Sequence, residues 1–392
     1  MQLSRLSLRV LFLLGALACD TAAMAEPPSI GRPVVRASAD VASYADSNHV
    51  FVLTPGISGT VASPTDAWSV SAGYQADVIS AASADIVSTA SRRWTETRHV
   101  GTASGTYKPH SFGFAAHTYV SSEPDYLSIS GGVTVSQDFA QKNVTVLLGY
   151  DYGHDLSGRS GTPWSVFVRP IDRHSIKSGV TLVLDRATVA AFVLDAVIEH
   201  GDTSKPYRFI PLFAPGTYVP NGAPAEWVAT TRVAAKPLEQ LPVDRIRLSF
   251  SGQIAHRFDR LTLRADERLY VDTWGLGAST TDGRLLFDWG RRLTLGPHLR
   301  FHAQSAVSFW QRAYTLGANG AIAALRAGDR ELGPLVTFTA GASARLGIGP
   351  TSAPSSWVLG LDVNAAETRY LDDLYISQRT SVVGGFSLEA EL

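Results

Sequence analysis

"DRIRLSFSGQIAH", residues 244–256, places an apolar side chain at almost every second position. Ile246, Leu248, Phe250 and Ile254 share one face of an extended chain, and polar or small residues occupy the other face. A period of two is typical of a β-strand with one apolar face. An ordinary soluble strand has about 5 to 6 residues, whereas a membrane-spanning strand needs roughly 9 to 11. The stretch therefore predicts a strand of a transmembrane β-barrel.

The same alternation recurs along most of the chain. We predict about 16 strands, or 14 if one of the first two is not embedded, since Pro55 interrupts the second. Their predicted ranges are 34–44, 48–60, 66–78, 94–107, 110–120, 125–137, 142–152, 173–184, 187–199, 244–257, 259–271, 283–291, 298–311, 333–346, 356–369 and 377–392. The predicted fold class is all-β, with a single antiparallel transmembrane β-barrel over residues 26–392.

The connections between these strands sort by length. Tight connections follow the second, fourth, sixth, eighth and tenth predicted strands, and long ones follow the third, seventh, ninth and thirteenth. Outer-membrane barrels place short periplasmic turns at one end and longer external loops at the other. We therefore expect two external excursions. Residues 79–93 have a composition compatible with helix, and residues 200–243 are interrupted by prolines.

The first 25 residues have the pattern of a signal peptide. Arg5 and Arg9 precede an apolar run too short for a transmembrane helix, and Ala23 to Ala25 form a small-residue cleavage site. An alternative is lipidation at Cys19, the only cysteine of the chain. Export followed by insertion into the outer membrane of a Gram-negative-type bacterium is the predicted localisation.

The composition limits the classes of partner. The chain has 392 residues, 45% of them hydrophobic and 18% charged, which excludes wholesale disorder. The formal net charge is −1, so no global basic character indicates nucleic acid. We expect no nucleic-acid partner and no cofactor.

Eight arginines and two other polar residues are candidates for contact with solute in the lumen. A cation that faces lipid near the bilayer midplane costs about 2 to 4 kcal/mol, so we expect these side chains to point inward. They would either attract anionic solutes or pair with the interleaved acids in a structural ladder. The candidates are Arg245, Arg247, Arg257, Arg260, Arg264, Arg268, Arg300, Arg312, Asp266 and Gln304.

Four charged residues near the first excursion are candidates for a constriction. They are Asp77, Asp85, Glu96 and Arg98. Charged side chains that narrow a pore select solutes by charge. The alternative is a packed loop whose small residues fit close to the barrel wall.

No metal site is expected, although one cluster is a weak candidate. Asp151, His154 and Asp155 lie within "GYDYGHDLSG", residues 149–158, and could offer oxygen and imidazole ligands. A hydrogen-bonded turn rich in glycine and aspartate is the alternative.

Common catalytic motifs are absent from the sequence. It contains no G-x-S-x-G, H-E-x-x-H, G-x-x-x-x-G-K or G-x-G-x-x-G. We therefore predict that the protein is not an enzyme. A hydrolase site at the barrel rim stays open as a lesser alternative, with His117, His154, His174 or His200 as its base.

Four separated motifs resemble a bacterial domain-of-unknown-function family of predicted outer-membrane proteins. They are "YQADVISAASADIVSTAS" (74–91), "SKPYRFIPLFAPG" (204–216), "RLYVDTWGLGASTTDGRLLFDWG" (268–290) and "LRFHAQSAVSFWQRAY" (299–314). Asp272, Trp274, Gln304 and Phe309 match the family pattern, without a known role. The resemblance implies a barrel encoded beside a thioredoxin-like protein, a small lipoprotein and a flavin transferase.

Two functions of different classes follow. The first is a conduit for small polar or anionic solutes. The second is a non-conducting scaffold that docks a periplasmic or surface partner. The expected partners are outer-membrane lipid and the barrel-assembly machinery, with a small lipoprotein or a periplasmic redox protein as further candidates.

Overall fold

The computed structural model of the protein describes residues 33–81, 94–349 and 356–392. Within these ranges, sixteen long strands each pair antiparallel with two neighbours. They are β1 (Val34–Asp46), β2 (Val50–Ser63), β3 (Trp68–Ala81), β4 (Trp94–Tyr107), β5 (Phe112–Glu123), β6 (Tyr126–Phe139), β7 (Val144–Ser157), β8 (Arg169–Val183), β9 (Thr188–Gly201), β11 (Asp244–Phe258), β12 (Leu261–Asp272), β13 (Gly277–Trp289), β14 (Leu293–Gln304), β16 (Leu335–Ile348), β17 (Ser356–Tyr370) and β18 (Gln378–Glu391). Two short strands, β10 (Leu212–Phe213) and β15 (Tyr314–Thr315), pair in parallel outside this sheet.

The first and last long strands close the sheet into a barrel. Ala39 of β1 stands opposite Leu388 of β18 on one side and Ile57 of β2 on the other. The predicted antiparallel barrel is therefore confirmed with sixteen strands rather than fourteen. β2 continues through Pro55, which lies opposite Val41 of β1.

The apolar rows of the strands face outward and do not pack into a core within the wall. Ile246, Leu248, Phe250 and Ile254 of β11 are 43% to 46% exposed. Large apolar residues at alternate positions of the other strands are exposed in the same way. Strands of 12 to 15 residues, tilted as in membrane barrels, span about 30 Å. This outer surface therefore matches the thickness and polarity of a bilayer.

The two ends of the barrel differ. The short-turn end carries both termini of the sheet, Val34 and Glu391, and the two-residue connection between β11 and β12. The opposite, long-loop end carries the connections 202–243 and 305–334, so the predicted sorting of loops by length is confirmed. Exposed aromatic side chains ring the short-turn end, as in the aromatic girdle of a membrane interface: Tyr107, Phe112, Phe139, Phe258, Trp289 and Trp357.

One strand was misplaced by the sequence pattern. The predicted strand 298–311 is β14, Leu293–Gln304, which begins earlier and runs through Gly296 and Pro297. Residues 305–311 leave the wall instead, and Val307 is buried against Trp274. The apolar residues of this segment alternate in sequence as those of a strand do, although they pack among the loops at the long-loop end.

Both predicted excursions begin later than expected. Residues 79–81 still belong to β3, and residues 200 and 201 still belong to β9. The remainder of the first excursion, residues 82–93, lies outside the described residues. The predicted signal peptide, residues 1–25 with Cys19, lies outside them as well.

Three connections at the long-loop end fold together into what we call the cap, residues 202–243, 305–334 and 371–377. It contains the β10–β15 pair and one short helix, α1 (Ala225–Thr231). Phe213 and Val228 of the first segment share one buried apolar cluster with Leu374 of the third. Among the described residues, no helix is long and apolar enough to cross a membrane.

Candidate functional site

Four of the eight predicted lumen arginines line the inner wall as one half of an ion pair. Arg245 pairs with Asp272 and also lies 4.1 Å from the centre of the Trp274 ring. Arg247 contacts Glu199 at 2.6 Å. Further pairs join Arg257 to Asp288 at 2.7 Å and Arg264 to Asp266 at 2.9 Å. These four arginines are therefore neutralised by wall carboxylates and do not form a row of free cations.

Other candidates have different positions. Arg268 donates to the Ser249 hydroxyl at 3.1 Å, and Arg300 is a wall residue of β14. Arg260 lies in the exposed turn after β11. Gln304, the last residue of β14, donates to two backbone carbonyls of the cap. Arg312 was expected on a strand, which is wrong, because β14 ends at Gln304 and Arg312 pairs with Asp372 inside the cap.

Two of the constriction candidates form a buried pair on the inner wall. Asp77 of β3 stands opposite Arg98 of β4, and their side chains form an ion pair. The Thr54 hydroxyl also donates to Asp77 at 2.6 Å. Only 2% of Asp77 is exposed. Asp85, the third candidate, lies outside the described residues.

The fourth candidate, Glu96, belongs to a carboxylate cluster at the long-loop end. Carboxylate oxygens of Glu96, Glu123 and Asp125 lie within 4.8 Å of one another. They come from β4, the end of β5 and the turn after it. The sequence analysis missed Glu123 and Asp125, because nothing in the spacing shows that strand ends 27 residues apart meet. Three carboxyl groups therefore lie together at the mouth.

The cap reaches across the mouth of the barrel. On one side, Lys205 lies 5.6 Å from the Tyr126 ring of β6, and Asp202 pairs with Arg169 of β8 at 2.8 Å. On the opposite side of the ring of strands, Glu331 pairs with Arg379 of β18 at 3.1 Å. The loops are therefore fixed to the wall at both ends of a diameter.

One buried arginine joins the two longest cap segments. Arg208 contacts Glu239 at 3.3 Å and Asp329 at 3.1 Å. Burial opposes the charged form of each group, but the opposite charges outweigh it: the pKa of Arg208 is raised, and the pKa of Asp329 is held below its ordinary value. The pair Arg208–Asp329 therefore stays ionised at neutral pH.

The weak metal candidates cannot share an ion. Asp151 and Asp155 point into the lumen, where they pair with His117 at 2.7 Å and Arg173 at 2.8 Å. His154 points to the outer surface and contacts Asp172 at 2.8 Å. Successive strand residues lie on opposite faces of a sheet, so the wall separates the imidazole from both carboxylates.

The histidines proposed for a rim hydrolase divide between the two faces. His117 is in the lumen with Asp151, whereas His154, His174 and His200 are on the outside. Among the described residues, these imidazoles pair with aspartates and with Tyr150 rather than with serines. The arrangement offers no nucleophile–base pair at these four positions.

A family model described as "Protein of unknown function (DUF3570)" matches residues 91–349. The chain belongs to this family. Membership in DUF3570 confirms the family resemblance, and three of the four motifs lie within the matched residues, whereas all but the last residue of the motif at 74–91 precedes them. The implied gene neighbours stay a prediction. No curated protein matches this DUF3570 chain.

Solved structures with a similar fold are outer-membrane barrels. The siderophore receptor PirA from Acinetobacter baumannii has a TM-score of 0.42 and 10% identity over 88% of this chain, which spans about half (54%) of the receptor. OprD from Pseudomonas aeruginosa has a TM-score of 0.43 and 9% identity, with 93% and 97% coverage of the two chains. The toluene transporter TodX from P. putida has a TM-score of 0.38 and 11% identity, with 92% and 90% coverage. At these TM-scores and identities, the similarity concerns the fold class alone. The assignment of a closed barrel depends on the strand pairing described above.

Proposed function

We propose that the protein is an outer-membrane conduit for small polar solutes. The observation that carries this proposal is a closed barrel of sixteen strands with apolar residues outside and paired charges inside. Barrels of 16 to 18 strands enclose an aqueous channel, whereas about eight strands leave room only for side chains. The short-turn end faces the periplasm and the capped end faces outward, in the arrangement usual for such barrels.

The charge distribution favours neutral or cationic solutes over anionic ones. Arg245, Arg247 and Arg264 are neutralised by wall carboxylates, so they contribute little net positive potential. At the mouth, Glu96 and its two neighbouring carboxylates add a local negative potential. Fields from such clusters raise the local concentration of solutes of opposite charge.

A non-conducting scaffold is the second candidate, and the cap favours it. Loops fixed across a diameter reduce the aperture, and they present exposed side chains such as Tyr218 to a partner. At the outward-facing cap the partner would be a small lipoprotein at the cell surface, whereas a periplasmic redox protein, which the family resemblance also suggests, would bind at the short-turn end. We propose no enzymatic activity.

Reconstitution of the purified barrel into planar bilayers separates the two candidates. The conduit predicts steady conductance steps and a reversal potential that shows a preference for K⁺ over Cl⁻ in a salt gradient. Absence of conductance, together with stable co-purification of a lipoprotein, would instead support the scaffold. A bare bilayer with matched detergent is the control.

A further inference from the structure

We infer that the outer surface of β11 to β13 is the interface through which a second copy of this chain binds within the membrane. A carboxyl group, Glu267, lies on this lipid-facing surface, in one row with Leu263 and Leu269, which are 43% and 51% exposed. The Ser279 hydroxyl donates to the Glu267 carboxyl at 2.7 Å, and the Thr281 hydroxyl donates to it at 2.5 Å. We call these three polar residues the polar trio. The inference goes beyond the conduit function and does not depend on it.

The polar trio lies near the middle of the apolar band. Glu267 follows Leu261, the first residue of β12, by six positions, and for a tilted strand this is a rise of about 15 Å above the short-turn end. The apolar band of such barrels is about 25 Å tall. Exposed apolar residues flank the trio on both sides, with Leu285 and Phe287 toward the short-turn end and Val271 toward the long-loop end. The trio is therefore at the depth of the lipid tails, where no water completes its hydrogen bonds.

The hydrogen bonds inside the polar trio leave it one partner short. Each hydroxyl has one proton to donate, and both donate to the Glu267 carboxyl. An ionised carboxylate would need a counter-cation, and among the described residues no basic side chain pairs with Glu267. A protonated carboxyl would add a third O–H, and with one hydroxyl beside each carboxyl oxygen only two of the three protons find an acceptor within the trio. In either state the missing partner is unfavourable in hydrocarbon.

A second copy of the chain supplies the missing partner at the right depth. A two-fold axis along the membrane normal keeps every residue at its own depth, so the Glu267 side chain meets its own counterpart. Each trio then donates one hydrogen bond to an oxygen of the other trio and accepts one in return. Lipid tails offer neither donors nor acceptors at this depth. The self-complementary hydrogen bonding therefore points to a second copy as the occupant of this surface.

The residues around the polar trio are small enough for close approach. Gly252 of β11 stands opposite Glu267, and Gly283 of β13 stands opposite Ala265. A Cβ atom at Gly283 would meet nothing within 4 Å, so packing within this barrel does not require a glycine there. Between membrane helices, small residues let two backbones approach until polar side chains reach each other. The same small residues on two barrel walls would bring the two trios into hydrogen-bonding range.

Disulfide cross-linking in intact outer membranes tests where the two copies meet. Ala265→Cys, in a Cys19→Ser background, should give a cross-linked dimer of this chain on a denaturing gel. Ala116→Cys is the matched control, because Ala116 faces outward beside the exposed Val133, six strands away around the wall and four positions from the short-turn end of its strand, as Ala265 is. It should give no cross-link. Equal cross-linking at the two positions, or a cross-link from position 265 to a different protein, would overturn the proposal.

Energy transfer between labelled copies in liposomes, over a series of protein-to-lipid ratios, gives the dissociation constant of the pair. Glu267→Leu should raise this constant about tenfold, the effect of losing the hydrogen bonds between two symmetric carboxyl groups in a membrane. Glu267→Gln keeps a donor and an acceptor and should stay within about threefold of the wild type. Thr118→Val, at the same depth on β5, should leave the constant unchanged, and heat-modifiable migration on a gel confirms that each variant is folded. A monomer at every ratio, or an unchanged constant in Glu267→Leu, would overturn the proposal.

Discussion

Replacing Arg208 by methionine should open the cap. The guanidinium contacts both Glu239 and Asp329, and it is one of the contacts that join the two loop segments. The Glu239 side chain is only 1% exposed, so the variant leaves a buried carboxylate without its counter-charge. Methionine keeps much of the length and packing of the arginine stem, and the loss is therefore mainly electrostatic.

The magnitude follows from the remaining partners of Glu239. Removing one member of a buried ion pair costs about 3 to 5 kcal/mol. Here the backbone N–H groups of Lys205 and Gly328 still donate to the carboxylate, at 3.1 and 3.0 Å. We therefore expect about 2 to 3 kcal/mol, which shifts the equilibrium between the closed and the open cap about 30- to 150-fold.

Single-channel recording in planar bilayers is the assay, with trypsin cleavage of the loops as a second readout. Arg208→Met should show larger or longer conductance steps and faster cleavage. Arg232→Met is the control, since Arg232 is a cap arginine that donates to the carbonyls of Val233 and Ala234 within its own segment. Adding Glu239→Gln to Arg208→Met removes the buried charge and should restore most of the wild-type behaviour. Wild-type conductance and cleavage in Arg208→Met would refute this reasoning.

Three further results are expected. Burial opposes ionisation of Asp329, but the Arg208 charge holds its pKa below the ordinary value, so its contribution to the closed cap is complete above about pH 4 and is lost only as the pH falls through the lower folded value. Asp329→Asn should therefore show a higher conductance than the wild type at pH 7, and the difference between the two proteins should be constant down to about pH 4 and shrink at lower pH. Neutralising the mouth cluster with Glu96→Gln, Glu123→Gln and Asp125→Asn should lower the K⁺/Cl⁻ permeability ratio measured from reversal potentials, and an unchanged ratio would remove the cluster from solute selection. Leu148→Arg places a charge on the lipid face and should lower the free energy of unfolding in liposomes by about 2 kcal/mol. Leu147→Arg, on the lumen side of the same strand, should change this free energy by less than about 1 kcal/mol. Equal effects of the two substitutions would contradict the assignment of the lipid and lumen faces.

The sequence predicted the barrel well because a membrane strand must alternate along its whole length. Polar residues on the lipid face and apolar residues throughout the lumen are both unfavourable. The apolar positions of β11 therefore mark its lipid-facing side, and the polar positions mark its lumen side. The misplaced strand shows the limit of this signal. Val307 and Phe309 keep a period of two, yet they pack against Trp274 inside a loop assembly.

The candidate site was less predictable because its contacts join residues that are distant in the chain. Arg208, Glu239 and Asp329 meet only after two long connections fold against each other. Likewise, Asp77 and Arg98 were singled out by their charge, but their pairing depends on the register of β3 and β4. Composition marks such residues as candidates, and only the register of the strands decides which of them meet.

The central claim is a closed barrel with lipid outside and water within, and cysteine labelling along β11 tests it most directly. Single cysteines at positions 246 to 254, in a Cys19→Ser background and in intact outer membranes, are treated with a charged, water-soluble maleimide. Positions 247, 251 and 253 should react through the lumen, whereas 246, 248, 250 and 254 should react only after detergent extraction. Uniform labelling along the segment, or the opposite alternation, would contradict the barrel.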